Sequence, residues 1–129
     1  MIREFGFTKL IVADLALLEP FYVDVLRLSV VTRISVDEPD WALDEVVLGI
    51  PGVTGCQLNL VQYRKRATPP PGEAVIGFYV TDIEAICAAA VRGGGVISVP
   101  VQHLAAHNLS LAYIADPEGH LIELLERAN

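Results

Sequence analysis

Residues 112–126 read Ala-Tyr-Ile-Ala-Asp-Pro-Glu-Gly-His-Leu-Ile-Glu-Leu-Leu-Glu, and this stretch decides the fold. Asp116-Pro117-Glu118-Gly119 is a turn: Pro117 presets φ for the second turn position, and Gly119 supplies a conformation that other residues avoid. Apolar strand residues flank it on both sides, so the segment is a hairpin. Beyond the turn, Leu121, Glu123 and Leu125 share one face of a strand, and Ile122 and Leu124 share the other. Glu123 is thus a carboxylate between two leucines. Carboxylates are rarely buried unless paired or coordinated, so Glu123 is either a functional group on a buried strand or a solvated acid on an edge strand.

Working back from the hairpin, Leu109 to Ala115 and Val96 to His103 read as strands. A helix precedes them, capped by Asp82, with Ile83, Ile86, Cys87, Ala90 and Val91 at helical spacing and Gly93-Gly94-Gly95 at its end. Val75 to Val80 is the strand before it. Pro69-Pro70-Pro71-Gly72 marks an extended linker. The first half repeats the order. Phe7 to Val12, Ser29 to Val36, Trp41 to Ile50 and Cys56 to Tyr63 read as strands, with Asp37-Glu38-Pro39-Asp40 and Pro51-Gly52 as turns. Pro20 lies too deep for an undisturbed helix starting after Asp14. The helix of this half is therefore expected at Pro20 to Arg27, after an irregular turn, with Phe21, Val25 and Leu28 on one face.

The halves also echo each other in sequence. Leu10-Ile-Val-Ala-Asp14 parallels Phe78-Tyr-Val-Thr-Asp82, and Gly55-Cys-Gln-Leu-Asn-Leu60 parallels Gly119-His-Leu-Ile-Glu-Leu124. The second echo aligns Asn59 with Glu123. The chain reads as an α+β protein built from a duplicated βαβββ unit, one domain over 1–129. Module 1 covers about 5–64, the linker 65–73 and module 2 about 74–128.

Composition bounds the function. A chain of 129 residues that is 53% hydrophobic is globular and long enough for a substantial core. No apolar run approaches the roughly 20 residues of a membrane span, and the N-terminus lacks a signal-peptide layout. Cys56 and Cys87 have neither metal nor redox spacing and read as core thiols in a reducing cytoplasm. A net charge of −7 disfavours nucleic acid and anionic membranes. The basic run Arg64-Lys65-Arg66 reads as a solvated connector.

Tyr113-Ile-Ala-Asp-Pro-Glu-Gly-His-Leu-Ile-Glu-Leu124 resembles the closing signature of the vicinal oxygen chelate (VOC) superfamily, which includes glyoxalase I, bleomycin-resistance proteins, fosfomycin-resistance enzymes and extradiol dioxygenases. Asp14…Pro20-Phe21-Tyr22…Val25-Leu26 resembles that family's first strand–helix joint, and Leu58-Asn59-Leu60-Val61-Gln62-Tyr63 the end of its first module. The resemblance covers essentially the whole chain. It implies two βαβββ modules whose strands curve around a small-molecule cup, and commonly a homodimer.

The resemblance also implies a metal site with four ligands, two per module, each first ligand standing seven residues before a helix-capping Asp. Counting back from Asp14 and Asp82 gives Phe7 and Val75. The late-strand positions are Asn59 and Glu123. Phe and Val cannot bind a metal, and a single carboxylate does not replace the three or more ligands such sites use. No metal and no cofactor are therefore expected. His103, His107 and His120 are the only histidines. His103 and His107 have helical zinc spacing but lie in a strand–loop region, and His107 and His120 read as surface residues.

Period-2 parity extends the cup face from Phe7 to Lys9 and Ile11, from Val75 to Gly77 and Tyr79, and from Asn59 to Gln57. Lys9 either pairs with Glu123 where the metal would stand or extends to the rim. Two functions follow. One is a metal-independent binding protein of the bleomycin-resistance type. It would hold an aromatic or polyketide-like compound against Phe7, Trp41, Gln57, Asn59, Val75, Tyr79 and Tyr113. The other is an enzyme. A metal-free isomerase or cyclase would use Glu123 or His103 as general base and Lys9 as charge stabiliser. A metal-dependent glyoxalase, lyase or dioxygenase is the remaining enzymatic alternative.

Overall fold

The computed structural model describes residues 1–128. The chain forms two compact units, divided between Pro69 and Pro70. Unit 1 contains β1 (Phe7–Ile11), α1 (Leu15–Asp24), β2 (Ser29–Val36), β3 (Leu43–Gly49) and β4 (Gln57–Tyr63). Unit 2 contains β5 (Val75–Tyr79), α2 (Ile83–Arg92), β6 (Val96–Leu104), a 3-10 turn at Ala105–His107, β7 (Leu109–Ala115) and β8 (Leu121–Arg127). Each unit is one four-stranded sheet, ordered β1-β4-β3-β2 and β5-β8-β7-β6. The first and last strands pair in parallel, and the other neighbours are antiparallel. The duplicated βαβββ order is present, and the registers match: Lys9 lies opposite Asn59 as Gly77 lies opposite Glu123.

One side of each sheet carries its helix. Gln62 Oε1 accepts the Leu15 N–H at 2.8 Å, and the Glu126 carboxylate accepts the Asp82 and Ile83 N–H groups at 3.0 and 2.9 Å. These bonds satisfy donors that a helix start leaves unpaired. They also fix the faces. Leu58 and Leu60 share Gln62's face, and Ile122 and Leu124 share that of Glu126. With Leu18, Phe21, Ile83 and Cys87 from the helices these strand residues form the cores of the two units, each buried to within 8% of full enclosure. Burying a leucine of this kind stabilises by roughly 1.5–3 kcal/mol.

The hairpin forms at its expected place. The Gly119 N–H donates to the Asp116 carbonyl at 2.8 Å, and Gly119 has φ +97°, the region that favours glycine. Asp116 Oδ1 accepts the backbone N–H groups of Glu118 and His120. The His120 ring folds back onto the same carboxylate, Nδ1 lying 3.0 and 2.9 Å from its two oxygens. His120 is therefore buried, not on the surface, because its side chain closes the turn that its own strand begins.

Two further expectations are corrected. Helix α1 starts at Leu15 and runs through Pro20, instead of starting there. The Asp14 cap, whose Oδ1 accepts from Leu17 N at 3.3 Å, and the Gln62 bond hold its first turn, while Leu18, Phe21 and Tyr22 anchor it to the sheet. That tertiary support outweighs the one backbone bond a proline removes. Cys56 is exposed, just ahead of β4, and only Cys87 is a core thiol. Burial, then the nearby Glu84, pushes the Cys87 thiol up. Among the described residues, no helix is long and apolar enough to cross a membrane.

Candidate functional site

The remaining face of each sheet, turned away from its helix, carries the unusual polar groups. In unit 1, Phe7, Lys9 and Ile11 of β1 lie beside Gln57, Asn59 and Val61 of β4, and these beside Val47 and Glu45 of β3. Glu45 and Asn59 are 4% and 5% exposed. Their burial is matched by contacts with each other: Asn59 Nδ2 donates to Glu45 Oε2 at 3.0 Å. The Lys9 ammonium lies 3.3 Å from the same oxygen and 3.4 Å from Oε1. The observed carboxylate partner of Lys9 is thus Glu45, which sequence reasoning passed over. An acid at the centre of Leu43-Asp-Glu-Val-Val-Leu48 on a core strand was the available signal. The exposed Phe7 ring stands next to this group, its centroid 5.7 Å from Lys9 Nζ.

In unit 2, Glu123 is half-buried, and its Oε2 accepts the Tyr113 hydroxyl at 3.0 Å across β7 and β8. That hydrogen bond, then burial, then the carboxylate charge hold the Tyr113 phenol above its ordinary range. Gly77 lies opposite Glu123 on the other side, and a Cβ there would meet nothing within 4 Å. Glu123 therefore keeps open space beside it.

The other candidates divide. Val75 and Tyr79 are exposed on the Glu123 face, but the Arg127 guanidinium covers one side of the Tyr79 ring at 3.8 Å. His103 pairs with Ser110, which pairs with Glu126, so it lies on the α2 side of the sheet and not on the face of Glu123. Trp41 sits in the turn ahead of β3, half exposed. A cleft of about 470 Å³ opens at the Gln57 end of sheet 1, lined also by Ser29, Val31, Gly49, Ile50 and Val53.

A family model, the Glyoxalase/Bleomycin resistance protein/Dioxygenase superfamily, matches residues 4–124. The chain belongs to this superfamily. Solved structures agree on the fold. A glyoxalase family protein from Bacillus cereus superposes with a TM-score of 0.84 at 17% identity, covering 100% of this chain and 97% of that one. A glyoxylase/bleomycin resistance protein/dioxygenase domain from Frankia sp. EAN1pec gives 0.76 at 18% identity, covering 100% and 94%. A glyoxalase-related enzyme from Fulvimarina pelagi gives 0.74 at 19%, covering 98% and 89%. At these identities the likeness shows the fold alone. No curated protein matches the sequence.

The metal implied by the glyoxalase superfamily does not fit the residues at its positions. Phe7 and Val75 are hydrocarbon at the strand positions where His or Gln is expected. Asn59 has given its Nδ2 to Glu45 and offers one neutral oxygen. Glu123 has one oxygen taken by Tyr113. A divalent transition metal needs three or more protein ligands. Among the described residues, no three His, Cys, Asp or Glu side chains come together as a metal-holding group.

Proposed function

We propose that this chain is a metal-independent small-molecule binding protein, of the sequestering type found in its superfamily. It takes up a flat aromatic or polyketide-like compound against the sheet face turned away from α1. The supporting observation is the replacement at the ligand positions: an exposed Phe7 stands where a metal-binding side chain would be, beside the hydrogen-bonding Gln57 and the buried Asn59. Aromatic area with a few fixed polar groups is what such ligands require. The working form is a homodimer in the cytoplasm.

The test is a thermal-shift screen with flat aromatic compounds, followed by mass spectrometry of each hit after prolonged incubation. Hits recovered unchanged support sequestration. Conversion over many turnovers would overturn it.

That outcome would favour a second reading, a metal-free proton-transfer enzyme with Glu123 as general base. The Tyr113 hydroxyl and the space over Gly77 favour it, since a half-buried carboxylate beside open space can accept a proton.

A further inference from the structure

The cleft of about 470 Å³ at the Gln57 end of sheet 1 has a size that small-molecule sites use. Three local features build it. Gly49 stands two residues past Val47, the partner of Asn59, and opposite Ser29, so it lies on the face of Asn59. Its φ is outside the left-handed region, so conformation does not demand a glycine there. A Cβ at Gly49 would lie 3.2 Å from Val31 Cγ2, and a longer side chain would fill the floor of the cleft. A glycine of this kind in a strand leaves room for close approach.

The second feature is a bulge in β2. Val30 faces Leu48 and Thr32 faces Val47, which leaves Val31 as the extra residue, re-aimed over Gly49. The third is the turn Ile50-Pro51-Gly52-Val53. The Val53 N–H donates to the Ile50 carbonyl at 3.1 Å, and Gly52 has φ +76°, as a type II turn with proline in second place requires. The turn holds Ile50 and Val53 at the same end of the cleft as Val31, and all three side chains are exposed.

The lining also decides the charge of an occupant. Among the described residues that line the cleft, none is ionisable, and Ser29, Thr54 and Gln57 supply neutral hydroxyl and amide groups. Lys9, on the same face, is held by the Glu45 carboxylate. A charged group entering the cleft would lose water without meeting a counter-charge, and the net charge of −7 further opposes anions. Gln57 lies opposite Phe7, so the cleft continues the aromatic surface of β1.

We infer that this cleft is a binding site for an uncharged hydroxyaryl compound. Its apolar rim lies against Val31, Ile50 and Val53, its hydroxyl bonds to the Gln57 amide, and the rest of its ring system extends towards Phe7. The inference rests on the binding reading above and names its ligand class, which excludes ionised carboxylates.

The test titrates isotope-labelled full-length protein at neutral pH with 2-naphthol and with 2-naphthoate, read by NMR. The two probes share a ring system, and only the second is charged. 2-Naphthol is expected to shift the backbone signals of residues 29–31, 49–55 and 57, and to bind at least about tenfold more tightly than 2-naphthoate. Val53→Lys places a cation on the exposed rim and should reduce that preference to about threefold or less. The comparison of the two probes on the unaltered protein needs no variant, so it holds even if the variant fails to fold. Equal affinities, or tighter 2-naphthoate, would overturn the inference. Shifts confined to Phe7, Lys9 and Asn59 would overturn it too and leave aromatic binding standing. No shift with either probe would also overturn it, and the binding reading falls as well only if the wider aromatic screen is empty.

Discussion

Asn59 and Glu123 occupy the same position in two sheets of identical strand order. Asn59 lies between Lys9 and Val47, and Glu123 between Gly77 and Tyr113. The two positions have diverged in opposite ways. Around Asn59, the neighbours supply charge and bury the amide. Around Glu123, the neighbours are a glycine and one phenol, and the carboxylate keeps open space. The duplication thus preserves a frame while each copy changes the chemistry mounted on it.

Removing Glu45 should be costly because it strands a buried donor. Glu45→Ala leaves Asn59 Nδ2 without its acceptor, which should lower stability by roughly 1–3 kcal/mol. Lys9→Met should cost at least as much, since it leaves the buried Glu45 carboxylate without its counter-charge and with the Asn59 amide as its remaining donor among the described residues. Urea unfolding of the two variants checks the order. A neutral Glu45→Ala would mean the cluster is not held as described.

The half-buried Tyr113 should ionise above the ordinary tyrosine range. Its phenol is raised chiefly by the hydrogen bond to Glu123. A raised phenol contributes stability that is complete below the ordinary tyrosine range and is lost as pH rises through the raised value. Glu123→Gln removes the charge and should bring the Tyr113 titration down. Tyrosinate absorbance against pH, with Tyr113→Phe for assignment, reads both effects.

Glu126 gives the opposite sign. The backbone N–H of Ile83, then that of Asp82, hold its carboxyl below the usual range. Stability from this group is complete above the ordinary carboxylate range and is lost as pH falls through the lowered value. Glu126→Gln keeps an oxygen at the helix start but no charge. The variant should have a lower Tm at neutral pH than the unaltered protein, and the gap should narrow as the medium is acidified.

Much of this was legible in the sequence, and the limits have physical reasons. The hairpin, the Asp82 cap and the repeat are local patterns, set within a few residues by turn chemistry, capping and period. The face parity of Phe7, Lys9, Gln57 and Asn59 followed from alternation and the strand register matches it. The misreadings were all tertiary. Proline chemistry alone put the start of α1 at Pro20, but a glutamine 47 residues from Leu15 helps to hold the earlier turn. The partner of Lys9 is a glutamate 36 residues away, which no local pattern identifies. His120 looked like a surface residue because nothing local shows its ring returning to Asp116.

We propose that the metal site of this superfamily has been replaced here by hydrocarbon and a hydrogen-bonded cluster. The most direct test is elemental analysis of purified protein after incubation with Zn, Ni, Mn and Fe(II) and desalting. The account predicts far less than one bound metal per chain for each ion, with no change in Tm. Near-stoichiometric retention of any of them, lost in Glu123→Gln, would contradict it and make Glu123 a ligand.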